Sequence, residues 1–147
     1  MPLPVGTWNI NYGGFTGKLS IGTLGAPDGS GNQFFQGTTT FGTNPSDNVS
    51  GFWDEGGQQI SFLRLPSTHT DYSHFNVLTG RLYLFSQQVG IENVLTYTLA
   101  GDGREFSINA NTTNWDQLFN TPSGPAPPGT PLPGLWCAQI IFRNFRE

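Results

Sequence analysis

The feature that most constrains this chain is alternation of side-chain character at every second residue. It comes in short runs cut off by glycine, proline, asparagine and aspartate. Successive side chains of a strand point to opposite faces, so a period of two marks a half-buried strand, whereas a helix repeats near 3.6. The first run, from Thr7 to Tyr12, puts Trp8, Ile10 and Tyr12 on one face. Further runs extend from Gly17 to Leu24, Gln33 to Phe41, Asn48 to Asp54, Gln58 to Leu65, His74 to Gln87, Val94 to Ala100 and Gly134 to Arg143. Turn residues separate them: Gly13-Gly14, Pro27-Asp28-Gly29, Asn44-Pro45-Ser46-Asp47, Glu55-Gly56-Gly57 and the stretch from Val89 to Asn93. Gly101-Asp102-Gly103 ends or bends the seventh run.

Eight strands joined by short connections predict an all-β chain folded as an eight-stranded antiparallel up-and-down β-barrel, since Greek keys need longer crossings. Gly17, Gly37, Gly51 and Gly80 stand inside strands. Glycine weakens a flat strand but permits the coiling that a small barrel requires. The 147 residues fit one domain, 1–147. The segment 109–133 interrupts the pattern. Asn114 to Phe119 has room for one helical turn, and Thr121 to Pro133 is rich in proline and glycine. A connection this long in a small domain is usually functional or disordered.

Composition narrows the partners. Charged residues are 11% of the chain, below the roughly 25% usual for soluble domains. The formal charge is −4, with six Lys and Arg in all. Nucleic acid and anionic membrane surfaces both call for clustered cations, so neither is expected. Met1 to Gly6 lacks a basic and apolar signal region, which points to the cytoplasm or to non-classical release. No apolar run reaches a membrane span. The glycosylation sequons at Asn48 and Asn111 are read as chance. The single Cys137 alternates with apolar neighbours and reads as an inert core thiol.

Two strands are apolar on both faces. In the sixth, Phe75, Val77, Tyr83 and Phe85 oppose Leu78, Leu82 and Leu84. In the last, Trp136, Ile140 and Phe142 oppose Leu135, Cys137 and Ile141. A lone barrel needs only its inner face dry, so the outer face is expected to be covered by another copy. A homo-oligomer, dimer or tetramer, built through the last three strands is the expectation.

Gly6-Thr7-Trp8 at the start of the first strand resembles the Gly-x-Trp opening of calycin barrels. Among these the avidin and streptavidin family is most similar. Gln36-Gly37-Thr38-Thr39, Ser50-Gly51-Phe52 and Leu78-Thr79-Gly80-Arg81-Leu82-Tyr83 are further similar phrases. Trp115, before the last strand, corresponds to an avidin tryptophan that covers a neighbouring subunit's ligand. The resemblance implies an avidin-like barrel and a tetramer. It does not imply tight biotin binding. Ile10 stands where the family has a polar ligand, Gly14 where it has a serine, Thr39 where it has a tyrosine and Tyr97 where it has a tryptophan. The last strand lacks the family's aspartate, for which Gln139 is the available substitute. Unmatched partners around a buried ureido group would lose several kcal/mol, roughly, of hydrogen bonding.

No catalytic, phosphate-binding or dinucleotide motif is present, and no cofactor or metal is expected. His69, Asp71 and His74 form a polar loop rather than a zinc site, because two histidines without a further ligand close no coordination sphere. The leading functional expectation is a non-enzymatic binding protein that holds a small amphipathic ligand at the barrel mouth. Asn9, Asn11, Thr39 and Asn76 would orient the ligand. Trp53, Tyr97, Trp115 and Gln139 complete the expected contacts. A carbohydrate-binding lectin is the first alternative, because low charge with many amides, hydroxyls and aromatics suits sugars. A small barrel enzyme of cyclase or isomerase type is the second.

Overall fold

The computed structural model describes residues 1–66, 75–106 and 135–145, the side chains of Phe106 and Phe145 excepted. Its strands are β1 (Gly6–Tyr12), β2 (Phe15–Ile21), β3 (Asn32–Phe41), β4 (Asp47–Asp54), β5 (Gln59–Leu65), β6 (Phe75–Val89), β7 (Glu92–Phe106) and β8 (Leu135–Phe145). Each pairs antiparallel with the next, and β8 returns to β1 through Asn9↔Gln139 to Tyr12↔Trp136, closing the barrel. The expected eight-stranded up-and-down barrel is therefore the fold.

Burial follows the alternation. Trp8 and Ile10 of β1, Leu19 and Ile21 of β2, Phe35 of β3, Val49 and Trp53 of β4, Ile60 and Phe62 of β5, Leu78 and Leu82 of β6, Leu99 of β7, and Trp136 and Ala138 of β8 form one apolar core. Each of its tryptophans has a partner for its indole N–H: Trp8 donates to the Pro4 carbonyl at 3.1 Å, Trp53 to the Glu55 carboxylate at 2.7 Å and Trp136 to the Thr79 carbonyl at 3.0 Å. Such large rings can be buried without cost from an orphaned donor. The interior is thus filled by side chains, as expected of a small barrel.

Strand glycines permit the curvature. A Cβ on Gly37 would lie 1.9 Å from the Ser20 carbonyl oxygen on the neighbouring strand. At Gly80 the Trp136 ring occupies the space, 2.8 Å from where a Cβ would be.

The two ends differ. At one end lie Tyr12, Phe15, Phe41, Asp47, Leu65, Phe75 and Leu135, where strands begin or stop. This is the mouth. At the far end Leu3, 3% exposed, joins the core and closes the barrel. Also at the far end, β6, β7 and β8 outrun their neighbours. β6 pairs with β5 only as far as Arg81, and β8 with β1 only as far as Gln139. Beyond those points, apart from the Leu82 N–H that donates to the Gln58 carbonyl at 3.0 Å, the three strands pair with one another and project as a ribbon.

Three expectations need correction. β7 does not end at Ala100. It continues through Gly101 and Gly103 to Phe106, because both glycines keep their cross-strand partners, Gly80 and Leu78. β2 starts at Phe15 and stops at Ile21, so the tail to Leu24 is loop. Cys137 is exposed on the outer wall, because its neighbours Trp136 and Ala138 take the inward positions of β8.

Candidate functional site

Strands whose inner faces are otherwise apolar place a polar group inside the mouth. Arg64 continues the inward parity of Ile60 and Phe62, and Asp47 that of Val49 and Trp53. Asn76 does so for Leu78 on β6, and Thr39 for Phe35 on β3. Thr39, Asp47 and Asn76 are the buried polar or charged side chains of the described residues.

Arg64 binds them together. Its Nη2 donates to Asp47 Oδ2 as an ion pair, its Nη1 to Asn76 Oδ1 at 2.7 Å and its Nε to Thr39 Oγ1 at 3.3 Å. The guanidinium carbon stands 5.1 Å from the centre of the Phe41 ring, a cation–π distance. The amide of Asn76 also bonds the Tyr12 phenol. Burial raises the phenol above its ordinary range, and the nearby Glu105 charge adds to this, while the Asn76 bond and Arg64 oppose it. Tyr12 therefore stays a neutral hydroxyl at ordinary pH. Gly103 makes room for it: a Cβ there would fall 2.3 Å from the Tyr12 ring.

The guanidinium carries five N–H donors. Its hydrogen bonds to described residues use three, and two N–H groups have no partner among the described residues, on a side chain 21% exposed. A buried ion pair broken on one side costs about 3–5 kcal/mol, so the cluster's parts depend on one another. The mouth thus offers fixed donors and acceptors, an aromatic face at Phe41 and an apolar floor.

The expected contacts separate into groups. Thr39 and Asn76 belong to the mouth cluster. Trp53 is wholly buried in the core wall. Tyr97 is half-buried near the ribbon, its ring edge-on to Phe142 with centroids 5.8 Å apart. Trp115 lies outside the described residues, as do His69, Asp71 and His74. Asn9, Asn11 and Gln139 are corrected: all three point outward. The apolar Trp8, Ile10, Ala138 and Ile140 take the inward parity of their strands, and a period of two then leaves the amides outside. They do meet, in an outer groove of about 450 Å³ shared with Lys18 and Cys137.

Sequence reasoning missed Asp47, Arg64 and Tyr12 as a site. The available signal was a charged side chain at inward parity in a strand, where a charge is costly unless paired. Comparison with family models, with curated proteins and with solved structures returns no match to this chain.

Proposed function

We propose that this protein is a non-enzymatic binding module that holds a small amphipathic molecule at the barrel mouth, and that it works as a homo-oligomer joined through the β6–β7–β8 ribbon. The observation that carries the binding reading is the Arg64-centred cluster at the end opposite the Leu3 plug. The packed core admits no deep ligand, so the molecule sits shallowly. An acceptor oxygen of the ligand takes the remaining guanidinium N–H groups, and its apolar part lies against Phe41. The avidin resemblance belongs to this proposal, supported by strand number and meander order. Tight biotin binding does not, because Ile10 is a core side chain with no polar group to offer.

The test is a thermal-shift screen of amphipathic carboxylates, amides and lactones. A ligand at a hundred times its Kd stabilises by about 2.7 kcal/mol. The shift should fall away in Asn76→Ala and persist in Asn9→Ala. A screen in which no compound distinguishes these two variants sinks the reading.

The ribbon supports the oligomer. Tyr83, Phe85, Val89 and Ile141 are 55%, 63%, 49% and 48% exposed on its outer side, with Leu84 and Phe142 at 42% and 40% on the other. The Glu92–Arg143 pair, 3.4 Å apart, keeps the ribbon electrically balanced, as a self-complementary contact requires. A stable contact covers about 800 Å² per partner, a scale such a stretch of exposed apolar side chains can reach. Light scattering should show an oligomer that Phe85→Lys converts to monomer.

A further inference from the structure

The outer wall carries two grooves that differ in how their polar groups are used. In the β8–β1–β2 groove the polar groups bond to the protein itself. The Lys18 ammonium donates to Asn9 Oδ1, the Gly14 N–H donates to Asn11 Oδ1 at 3.3 Å, and Gln139 Nε2 donates to Thr98 Oγ1 at 3.3 Å. The second groove, about 560 Å³, crosses β3, β4 and β5. Its lining among the described residues includes Gln36, Thr38, Asn48 and Ser50 beside Leu63 and Leu65, and no charged side chain. Among the described residues none of those four polar side chains makes a hydrogen bond.

Cross-strand pairing sets these groups in rows. Gln36, Ser50 and Leu63 form one, and Thr38, Asn48 and Leu65 the next. One row beyond Gln36, toward the far end, Phe34 pairs with Phe52. Both rings are close to half exposed, at 46% and 47%, and meet edge-on with centroids 5.7 Å apart. Rows on one face of a strand are roughly 6.7 Å apart, so the aromatic pair flanks the groove.

We propose that this groove binds a neutral oligosaccharide. Sugar hydroxyls both donate and accept, as do carboxamides and hydroxyls, and the C–H face of a pyranose packs on aromatic rings. The chemistry disfavours the other occupants. A phosphate or nucleic acid would need a cation in the lining. An added peptide strand would need a free sheet edge, and β3, β4 and β5 are each paired on both sides. A second copy seated here would bury four polar side chains that need partners, at a cost the more apolar ribbon avoids. This inference stands apart from the mouth reading.

The test is affinity electrophoresis of the full chain in gels containing xyloglucan, glucomannan, galactomannan or arabinoxylan. At least one should retard the protein, and short oligosaccharides from the same polymer should compete. Phe52→Ala and Asn48→Ala should each weaken retardation about tenfold, the loss of one good contact, with unchanged melting temperature. The double change Asn9→Ala with Gln139→Ala should leave it intact. Absence of retardation on every polymer overturns the proposal. So does retardation that survives Phe52→Ala and Asn48→Ala, or that is lost with Asn9 and Gln139. A dimer in light scattering that Phe52→Ala dissociates would assign the face to a second copy and overturn it equally.

Discussion

The two ends of this barrel solve the same problem with opposite chemistry. Every small barrel must close its core against water at both ends. At the far end an apolar side chain does so: Leu3 is buried with Trp8 and Ile21, and the Trp8 indole bonds back to Pro4. At the mouth the inward layer among the described residues is an arginine with its partners Asp47, Asn76 and Thr39. Swapping a buried ion pair for apolar packing is often neutral or stabilising, so a chain selected for stability alone has no need of the second solution. On the proposed binding reading, the mouth is the end where polar groups are held for use. On that reading stability and binding lie at different ends, and the plug should matter for stability alone.

The largest expected effect tests the cluster. Arg64→Met leaves Asp47 without the guanidinium it pairs with and should cost about 3–5 kcal/mol, measured by denaturant unfolding. Adding Asp47→Asn should recover most of the loss, because the carboxylate charge that faced the guanidinium is then gone. If the double variant is as unstable as the single, the cluster is not an electrostatic unit. At the other end, Leu3→Ala should cost about 2–3 kcal/mol through lost burial and the cavity left behind. Ligand-induced thermal shifts should survive that change, and their loss would mean that the ends are not independent.

A smaller effect sharpens the contrast through pH. The folded state raises the Tyr12 phenol above its unfolded value, chiefly by burial. The neutral phenol is thereby favoured, so this contribution is fully present below the unfolded value near about 10 and is lost as pH rises through the folded one. Unfolding free energy of the wild type should fall through that alkaline window, and Tyr12→Phe should flatten the fall. At neutral pH the same variant should cost only about 1 kcal/mol, the loss of one hydrogen bond. Least of all, Thr39→Val keeps the shape and removes an acceptor to Arg64. It should cost under about 1 kcal/mol while weakening ligand binding.

The barrel was legible in the sequence because its signal is local and repeated. Trp8, Ile10 and Tyr12 fall on one parity, as do Leu78, Leu82 and Leu84, and the turns between strands carry their own residues. What failed was the choice of face for polar groups. Asn9 and Asn11 were read as inward polar residues and Gln139 as the substitute for a family ligand, although Trp8, Ile10, Trp136 and Ile140 had already claimed that parity. The same parity rule, applied to Ile60-Ser61-Phe62-Leu63-Arg64, places the arginine inside. Its partners lie on three other strands, and the cross-strand register, with Thr39 opposite Asp47 and Arg64 opposite Asn76, is what brings them together. Thr39 and Asn76 were legible as inward polar residues, but not as partners of Arg64. Gly101 and Gly103 misled because a glycine pair reads as a turn, whereas here one permits close strand approach and the other makes room for Tyr12.

The most direct test of the mouth reading watches the side chains themselves. In a protein labelled with ¹⁵N, the Arg64 Nε–H and Asn76 amide signals should move in saturable fashion as a thermal-shift hit is added. The indole signals of Trp8 and Trp53, sealed in the core, should stay in place. Movement of those indoles, or of outer-wall amides with Arg64 and Asn76 unmoved, would contradict the account.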